Sequence, residues 1–442
     1  MRIVMIGAGY VGLVSGACFS EFGHEVVCLD SDAGRIAALE AGRIPIYEPG
    51  LDDLVARNVK AGRLRFGVDL AGAVANAEAV FVAVGTPSRR GDGHADLSFV
   101  YAAAEQVATA LKPRTVVVTK STVPVGTGAE VERILARARP ELIAGRDFDV
   151  ASNPEFLREG SAINDFMRPD RVVVGCVSEF AREVMRAIYR PLFLRETPVV
   201  FTSRETAELI KYAANAFLAT KITFINEMAD LCEALGADVQ EVAKGIGLDG
   251  RIGAKFLHAG PGFGGSCFPK DTLALVRIAQ EAARPSRIVE AVVQVNEARK
   301  RRMAEKIVEA AGGSLAGKTV GVLGLTFKPN TDDMRDAPSL VILPILMAAG
   351  ARVRAFDPAG MAEARALLTG VGWGESAFDV VGGADVLVIL TEWNEFRGLD
   401  LARVKSLMRT PTMVDLRNIY DPREARAAGL AYYSVGRRAA LP

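Results

Sequence analysis

A short apolar strand that runs straight into a glycine turn constrains the fold of this chain more than any other feature. Residues 3–6 form a continuous apolar run, as expected of a parallel strand that is buried on both faces. The pattern Gly7-x-Gly9-x-x-Gly12 follows at once and opens an apolar helical stretch. In such a turn the first glycine permits the tight bend, the second lets a pyrophosphate approach the backbone, and the third lets helix and strand pack closely. The pattern therefore predicts a unit that binds a dinucleotide.

Polar residues at the ends of the following strands indicate which dinucleotide is bound. Asp30 ends the next predicted strand, residues 25–29, where a carboxylate can bond both ribose hydroxyls. Its negative charge also repels a 2′-phosphate, which favours NAD over NADP. Arg35 can either accommodate such a phosphate or cover the adenine side, so NADP stays the alternative. Thr86 and Thr122 lie in turns after two later strands, where their hydroxyls can bond the cofactor or simply cap helices.

Alternating strands and helices extend through both halves of the chain and predict its fold class. A proline-free helix is predicted over residues 203–234, and a second helical stretch lies near 285–311. We expect an α/β protein with two Rossmann-like doubly wound parallel-sheet domains joined by a long central helix. The second domain lacks the complete glycine fingerprint. The predicted domains are residues 1–200, 201–312 and 313–442, and the further predicted strands are residues 79–84, 115–119, 149–152, 319–323, 351–356, 384–390 and 412–416.

Composition excludes several classes of protein. The 53 Lys and Arg residues balance 53 Asp and Glu residues, whereas a nucleic-acid-coating protein carries a positive surplus. The five scattered cysteines and three histidines argue against a zinc ribbon, a disulfide framework or a His-rich metal site, so we expect no metal. Because no run of about 18 apolar residues appears, we expect a soluble cytoplasmic protein without a membrane contact.

A glycine-rich loop that ends at Cys267 is the most informative stretch for chemistry. Pro269 and a helical pattern follow this cysteine, and Lys270 lies nearby. A cysteine just ahead of a helix N-terminus has the setting that lowers a thiol pKa. We interpret the other four cysteines as buried apolar residues, because none lies in such a loop.

Two pairs of polar residues, each four positions apart, are further candidates. Glu155 and Glu159 share one face if their segment is helical, and either could act as a base or be an ordinary surface residue. Lys211 and Asn215 lie on one face of the long predicted helix among apolar residues. Together they could stabilise a developing oxyanion. The alternative is that they belong to an ordinary solvent-exposed face of the helix.

A nicotinamide site combined with an activated cysteine predicts a particular reaction class. Hydride removal from an alcohol needs no thiol, but further oxidation of the aldehyde does. The thiol adds to the carbonyl, the thiohemiacetal gives up a second hydride, and water cleaves the thioester. The residues thus predict a four-electron oxidation of an alcohol to an acid that uses two NAD in turn.

Over essentially its whole length the chain resembles the UDP-glucose 6-dehydrogenases of the UDP-glucose/GDP-mannose dehydrogenase family. The resemblance implies NAD as the cofactor, UDP-glucose oxidised to UDP-glucuronate as the reaction, and a likeness of residues 313–442 to a UDP-sugar-binding domain. It also implies a homodimer, with residues 201–312 as the dimerisation region and Arg251 reaching the neighbouring subunit's substrate. The motifs that carry it are residues 7–12, 121–127, 153–160, Lys211 with Asn215, 251–253 and 264–271.

The resemblance also implies roles for individual residues. Cys267 would be the nucleophile, and Lys211 with Asn215 would stabilise oxyanions. Asp271 would hold a water and assist proton transfers, and Glu155 would activate the hydrolytic water. Cofactor positions are Gly7, Gly9, Tyr10, Val11, Gly12, Asp30, Arg35, Thr86, Thr122, Glu159, Lys270 and Arg335, of which Thr122 also joins the catalytic set. Substrate positions are Glu155, Phe156, Leu157, Arg158, Glu159, Lys211, Asn215, Arg251, Phe256, Leu257, His258, Ala259, Gly260, Phe263, Gly264 and Lys328.

Three alternatives remain beside this prediction. GDP-mannose dehydrogenase is the nearest, and dehydrogenases of N-acetylated UDP-sugars follow, although relatives of that kind tend to have a histidine before the cysteine. A non-catalytic NAD-binding sensor or scaffold is the third, and it would be expected to lose Cys267, Lys211 or Asp271, which are all present. The chain departs from the family at Arg35, where lysine is common, and at His258 and Phe263, which could tune substrate binding.

Overall fold

The structure is a computed structural model that describes residues 1–87, 89 and 93–442. The chain divides into two compact units, Met1–Ala214 and Asn215–Pro442. Each unit is built on one sheet with helices on both faces, and each is described by itself below. Among the described residues, no helix combines the length and the apolar character needed to cross a bilayer.

The first unit contains an eight-stranded sheet with the order β3-β2-β1-β4-β5-β6-β7-β8. The first six strands are parallel and have the order expected of a doubly wound dinucleotide-binding sheet. The last two pair in parallel with each other but antiparallel to β6. The strands are β1 (Arg2–Ile6), β2 (Glu25–Leu29), β3 (Leu64–Gly67), β4 (Ala79–Val82), β5 (Thr115–Thr119), β6 (Phe148–Ser152), β7 (Val172–Gly175) and β8 (Val199–Thr202).

The helices of this unit cover both faces of the sheet. Successive residues of β4 show why: Ala79 and Phe81 pack into one apolar cluster, whereas Val80 and Val82 pack into the other. A short 3₁₀ helix, Arg190–Arg195, precedes the last strand. The α-helices are α1 (Tyr10–Glu21), α2 (Ala33–Glu40), α3 (Leu51–Lys60), α4 (Leu70–Val74), α5 (Ser98–Ala110), α6 (Thr127–Ala138), α7 (Ala162–Met167) and α8 (Glu179–Tyr189).

A 32-residue helix, α9 (Arg204–Leu235), begins in the first unit, and its residues from Asn215 onward belong to the second. Gly236 ends it with a φ of +78°, a left-handed conformation that glycine adopts without strain. The amide of Gly236 donates to the carbonyl of Cys232, which satisfies one of the last carbonyls of the helix. The helix predicted over residues 203–234 is thus confirmed within one residue at each end.

The second unit contains a six-stranded parallel sheet with the order β11-β10-β9-β12-β13-β14, which repeats the doubly wound order. Its strands are β9 (Thr319–Leu323), β10 (Arg352–Phe356), β11 (Gly372–Trp373), β12 (Val386–Ile389), β13 (Thr412–Asp415) and β14 (Ala431–Ser434). Its further helices are α10 (Val239–Gly247), α11 (Phe268–Glu281), α12 (Arg287–Ala310), α13 (Ser339–Ala348), α14 (Met361–Leu367), α15 (Ala377–Val381), α16 (Asn394–Arg397), α17 (Leu401–Leu407) and α18 (Pro422–Ala427).

The predicted fold class is confirmed, because both sheets are doubly wound and α9 leads from one unit into the other. Every strand predicted from the sequence is present, with ends that shift by at most two residues. Strands β3, β7, β8, β11 and β14 were not predicted. The antiparallel β6–β7 pairing also departs from the expected all-parallel sheet.

Candidate active site

The three glycines of the turn after β1 have three different geometric reasons to lack a side chain. Gly7 has a φ of +99°, and a Cβ there would lie 2.6 Å from the carbonyl oxygen of Ala83. A Cβ on Gly12 would lie only 1.8 Å from the carbonyl oxygen of Gly7. A Cβ on Gly9, in contrast, would meet nothing within 4 Å. Gly7 and Gly12 are therefore required by packing, while Gly9 keeps open the space that a pyrophosphate needs.

Asp30 lies directly after β2 and faces the glycine turn. One carboxylate oxygen accepts the amide of Ala8 at 2.8 Å and the Arg35 guanidinium at 3.1 Å, and the other accepts the amide of Asp32 at 3.0 Å. Burial raises the pKa of the Asp30 carboxyl, but these hydrogen bonds outweigh it and hold the pKa below its ordinary value. The carboxylate is therefore ionised and already oriented.

The loops after β4 and β5 meet at the same edge of the sheet. The Thr86 hydroxyl donates to the carbonyl of Thr122 at 2.9 Å, and the Ser121 hydroxyl donates to the carbonyl of Val84 at 2.7 Å. The structure therefore brings the two predicted threonines together beside the glycine turn, at the carboxyl ends where doubly wound sheets bind ligands. Val11 follows Tyr10 in the first turn of α1.

A buried carboxylate from α9 holds the β5–α6 loop. Glu208 accepts the amides of Gly126 and Gly128 at 2.7 and 2.8 Å, and the hydroxyl of Ser152 at 2.9 Å. Burial raises the pKa of Glu208, although the three hydrogen bonds act in the opposite direction. The local N-cap of α6 is Gly126, which offers no side-chain acceptor. Glu208 therefore caps α6 from a distant part of the sequence.

A buried ion pair joins two residues of the predicted catalytic set. Lys211 Nζ lies 2.8 Å from Glu155 Oε1, and the two side chains are 3% and 6% exposed. Burial raises the pKa of Glu155, but Lys211, the amide of Leu157 and the nearby Lys120 together lower it below its ordinary value. Glu155 is therefore an ionised carboxylate in this state. Phe156 lies beside the pair, with Lys211 Nζ 5.4 Å from its ring centroid.

The segment that carries Glu155 and Glu159 is irregular, so the shared helical face considered for this pair does not form. Glu155 is buried, Glu159 is half-buried and Arg158 is exposed in an ion pair with Asp165. The proline at position 154 disfavours the helical conformation of Asn153, so no helix runs from that residue into the segment.

In the second unit, Cys267 is the N-cap residue of α11 and is half-buried, whereas the four other cysteines are buried. Its carbonyl accepts the amide of Asp271, and its sulfur lies 3.5 Å from the Ser266 hydroxyl. Asp271 is 1% exposed and accepts Asn215 Nδ2 at 2.6 Å and Lys270 Nζ at 2.8 Å. The structure therefore groups these residues of the predicted catalytic set around the first turn of α11.

The glycine loop before Cys267 packs against the segment that carries Lys328 and Arg335. A Cβ on Gly264 would lie 2.4 Å from the carbonyl oxygen of Asp336, and one on Gly265 would lie 2.7 Å from the Phe327 ring. The amide of Gly265 donates to the carbonyl of Arg335 at 2.8 Å. These close approaches explain the glycines and bring Lys328 and Arg335 into the neighbourhood of the loop.

Side chains from α9 and α12 hold the rest of the predicted substrate loop, residues 256–263. Asn226 accepts the amide of Gly260 at 2.8 Å, and Arg299 donates to the carbonyl of Gly260 at 3.0 Å. Asn296 accepts the amide of Phe263 at 2.8 Å and donates to its carbonyl at 3.1 Å. Leu257 and Ala259 are buried beneath the loop, Phe256 is half-buried and His258 is exposed.

Arg251 is not brought together with the other candidates of the second unit. Its side chain is 90% exposed, and its guanidinium lies 2.6 Å from the Asp249 carboxylate. Within residues 1–87, 89 and 93–442, no group of three or more histidine, cysteine or carboxylate side chains is arranged to hold a metal ion.

Sequence patterns missed several buried residues that hold the candidates. Besides Glu208, Asn226, Asn296 and Arg299, they include Glu48, which accepts the Tyr10 hydroxyl. Lys120 is another, with Nζ 3.1 Å from Asn153 Oδ1, and burial lowers its pKa to about 8. These contacts join residues far apart in sequence, so no local spacing indicates them.

The second unit has its own aspartate at the position corresponding to Asp30. Asp357 follows β10 and is 1% exposed. Its carboxylate accepts four backbone amides, the Thr326 hydroxyl and the indole N–H of Trp393. This acid is saturated by the protein itself, consistent with the incomplete glycine fingerprint of the second sheet.

Comparison with known proteins assigns the family. Family models describe an NAD binding domain at residues 1–193, a central domain at 205–298 and a UDP binding domain at 321–422, all of the UDP-glucose/GDP-mannose dehydrogenase family. The chain is 62% identical to a UDP-glucose 6-dehydrogenase of Rhizobium meliloti, over 99% of this chain and 100% of the relative. It is 49% identical to UDP-glucose 6-dehydrogenase TuaD of Bacillus subtilis, over 99% and 94%.

A solved UDP-glucose dehydrogenase from Pyrobaculum islandicum matches with a TM-score of 0.89 and 41% identity, over 98% of this chain and 97% of that one. A GDP-mannose dehydrogenase from Pseudomonas aeruginosa matches with a TM-score of 0.55 and 30% identity, over 95% and 97%. The N-terminal model of the family is an NAD-binding domain, in agreement with the open space at Gly9 and the oriented Asp30 carboxylate. The chain therefore belongs to the UDP-glucose/GDP-mannose dehydrogenase family and is an NAD-dependent dehydrogenase.

Proposed function

We propose that this chain oxidises UDP-glucose to UDP-glucuronate by four electrons and consumes two NAD. Relatives named UDP-glucose 6-dehydrogenase match it over 100% and 94% of their length, which supports this substrate. The observation that carries the four-electron chemistry is Cys267, a half-buried thiol at the N-terminus of α11 with Asp271 one turn further on. A dehydrogenase that stopped at the aldehyde would have no use for such a thiol.

In both oxidations NAD, when bound, accepts a hydride from C6 of the sugar. In the first, the C6 hydroxyl also loses a proton, so that the alcohol becomes an aldehyde. Asp271 is proposed to hold the water that receives this proton. Lys211 and Asn215, one helical turn apart on α9, are proposed to stabilise the developing negative charge on the oxygen.

In the second oxidation, the Cys267 sulfur attacks the aldehyde carbon and forms a thiohemiacetal. Loss of a hydride from C6 and a proton from the oxygen then gives a thioester. Water adds to the thioester, and the C–S bond breaks with return of a proton to sulfur, which leaves the carboxylate and the free thiol. One CH₂OH group, two NAD⁺ and one water thereby give one carboxylate, two NADH and three protons.

Glu155 is proposed to activate the hydrolytic water. Its ion pair with Lys211 lowers its pKa and makes it a weak base in the state described here. When Lys211 turns to a substrate oxyanion, this stabilisation of the carboxylate is lost and its pKa rises. The pair thus links oxyanion formation to the availability of a base.

The NADH yield with limiting sugar tests the proposal. We expect two NADH per UDP-glucose and none from GDP-mannose or an N-acetylated UDP-sugar. One NADH would refute the thioester chemistry, whereas a yield from GDP-mannose alone would assign that substrate instead. Cys267→Ser should stop before acid release while still binding NAD, and Cys232→Ser, at a buried cysteine, is the matched control. Full turnover by Cys267→Ser would show that Cys267 is not the nucleophile.

We also propose a homodimer formed through α9. Phe217, Phe224 and Leu231 are spaced seven residues apart on this helix and are 66%, 46% and 50% exposed. A seven-residue apolar repeat marks a helix face that packs against another helix. Arg251 is proposed to reach the neighbouring subunit's substrate, which agrees with its exposure.

Mixing two inactive variants tests the shared site. Arg251→Ala keeps its nucleophile, and Cys267→Ser keeps its arginine, so a mixed dimer contains one complete site. We expect coexpression of the two to restore up to about a quarter of the wild-type activity, as half the protein would be mixed dimer with one working site each. Phe224→Glu should give a monomer in sedimentation, while Val177→Glu, at an exposed valine of the first unit, should not. Activity that stays absent in verified mixed dimers would refute the shared site.

The predicted division at residues 1–200, 201–312 and 313–442 is retained as part of this proposal. The first part would bind NAD, the second would supply α9 and the Cys267 loop, and the third would bind the uridine diphosphate. The two glycines at 312 and 313, both with positive φ, make this boundary a candidate for limited proteolysis.

A further inference from the structure

Glu48 is a buried carboxylate that belongs to none of the motifs discussed above. It lies between α2 and α3, and its side chain is buried although the surrounding loop is largely exposed. One oxygen accepts the Tyr10 hydroxyl and the amide of Gly160, the latter at 2.6 Å. The other accepts the amide of Ala162 at 2.8 Å. Three hydrogen bonds thus converge on one carboxylate from two distant segments.

These two segments carry different parts of the proposed site. Tyr10 is the first residue of α1, inside the glycine turn that is proposed to hold NAD. Gly160 directly follows residues 155–159, which are predicted to contact the sugar. Ala162 begins α7, whose N-cap Ser161 makes no side-chain hydrogen bond to the helix. Glu48 therefore supplies the missing acceptor from 114 residues away and attaches the end of the sugar segment to the cofactor helix.

We propose that Glu48 is a positioning residue that fixes the segment 155–160 against the NAD-binding turn. The proposal rests on the dehydrogenase function proposed above. Hydride transfer depends on the separation and angle of the two reacting groups, and a displacement of about 1 Å can cost about 10²-fold in rate. An irregular segment with no helical or sheet hydrogen bonds of its own needs such an anchor.

The surrounding charges agree with this role. Burial, the hydrogen bond to Glu48 and the charges of Glu48 and Glu159 all raise the pKa of Tyr10. The phenol therefore stays protonated and remains a donor. Since it also lies 3.2 Å from the amide of Gly160, both Glu48 and Tyr10 contact the same backbone group.

Glu48→Gln is the informative variant. The side chain keeps its shape, but its NH₂ group must face one of the backbone amides, so that two donors meet. We expect kcat to fall about 10- to 100-fold, while the affinity for NADH, measured by fluorescence titration, changes less than threefold. Tyr10→Phe removes one donor but leaves both amide contacts, so it should lower kcat less, and its effect should be smaller still in the Glu48→Gln background. Glu40→Gln, at an exposed glutamate of the first unit, is the matched control.

Amide hydrogen exchange gives a readout that does not depend on the reaction. Peptides covering residues 155–167 should exchange at least tenfold faster in Glu48→Gln and nearly as in wild type in Tyr10→Phe and Glu40→Gln. Unchanged exchange in Glu48→Gln would show that Glu48 does not hold the segment 155–160. An unchanged kcat in folded Glu48→Gln would show that Glu48 stabilises the fold without positioning the reacting groups. The wild-type NADH yield on UDP-glucose is measured separately, so failure of the proposed function is distinguishable from failure of this inference.

Discussion

Lys211→Met removes one partner of the buried pair between α9 and Glu155, and its effect on stability follows from the geometry. Both side chains are almost fully buried, so the remaining carboxylate gains little from water. Breaking a buried pair typically costs about 3–5 kcal/mol. Glu155 keeps the amide of Leu157 and the nearby charge of Lys120, which places the expected loss near the lower end, about 3 kcal/mol.

The pH dependence of this loss has a definite sign. In the wild-type protein the pKa of Glu155 is lowered, so the pair stabilises the fold above the ordinary glutamate pKa and this contribution disappears as pH falls through the folded pKa. In Lys211→Met, burial dominates and the pKa of Glu155 rises above its ordinary value. Protonation then removes the unpaired charge. The difference in free energy of unfolding between the wild type and Lys211→Met should therefore shrink from pH 8 to pH 5.

Urea unfolding at pH 8, 6.5 and 5 measures this difference directly. Lys112→Met, at an exposed lysine of the same unit, controls for the loss of a surface charge. A second consequence concerns Lys120, whose pKa Lys211 lowers, because in Lys211→Met that repulsion is absent and the Lys120 pKa should rise. A variant within 1 kcal/mol of wild type at pH 8, or a loss that grows towards pH 5, would refute the reasoning.

Three further substitutions test other parts of the structure. Gly12→Ala places a Cβ 1.8 Å from the carbonyl oxygen of the first glycine in the turn, so NADH binding should be lost in fluorescence titration; a dissociation constant within threefold of wild type would contradict the packing. Glu208→Gln replaces one carboxylate oxygen with an NH₂ group, so one of the two amides at the start of α6 loses its acceptor and meets a donor, and the free energy of unfolding should fall by about 2 kcal/mol, while Glu205→Gln, exposed on the same helix, should leave it unchanged. Asp30→Ala removes the acceptor that is proposed to bond the ribose, and we expect at least tenfold weaker NAD binding by calorimetry; unchanged affinity would exclude Asp30 from the cofactor site.

The sheets were predictable from the sequence because their strands are local patterns. Residues 79–82 and 115–119 are largely apolar and are buried on both faces, and that composition distinguishes buried parallel strands from their surroundings. Strand β3 was missed because it is short and partly polar, and β11 because it has only two residues. Strands β7 and β8 were overlooked although both are short valine-rich runs of the kind that predicts a strand.

In the candidate site, too, features that a local motif encodes were predictable, and features formed by contacts between distant residues were not. The packing roles of Gly7 and Gly12 and the open space at Gly9 could be inferred, because the motif itself encodes the bend and the close approach. Glu208 and Glu48 could not, since their partners lie about 80 and 112 residues away. An isolated glutamate in sequence does not reveal that it will be buried against backbone amides. The catalytic and binding roles of the individual residues stay predictions.

The carboxylate of Asp357 in the second sheet is fully hydrogen-bonded by the protein itself, and this bears on the order of events in turnover. Of the two corresponding strand-end acids in the described chain, only Asp30 is placed beside the complete glycine turn. If two NAD are consumed per sugar, as proposed, one cofactor-binding site must bind two coenzyme molecules in succession. The first NADH therefore has to depart while the half-oxidised sugar stays behind, and capture of the aldehyde by sulfur would retain it through that exchange. Coenzyme replacement, rather than either hydride transfer, is then a natural step to limit the rate of the whole cycle.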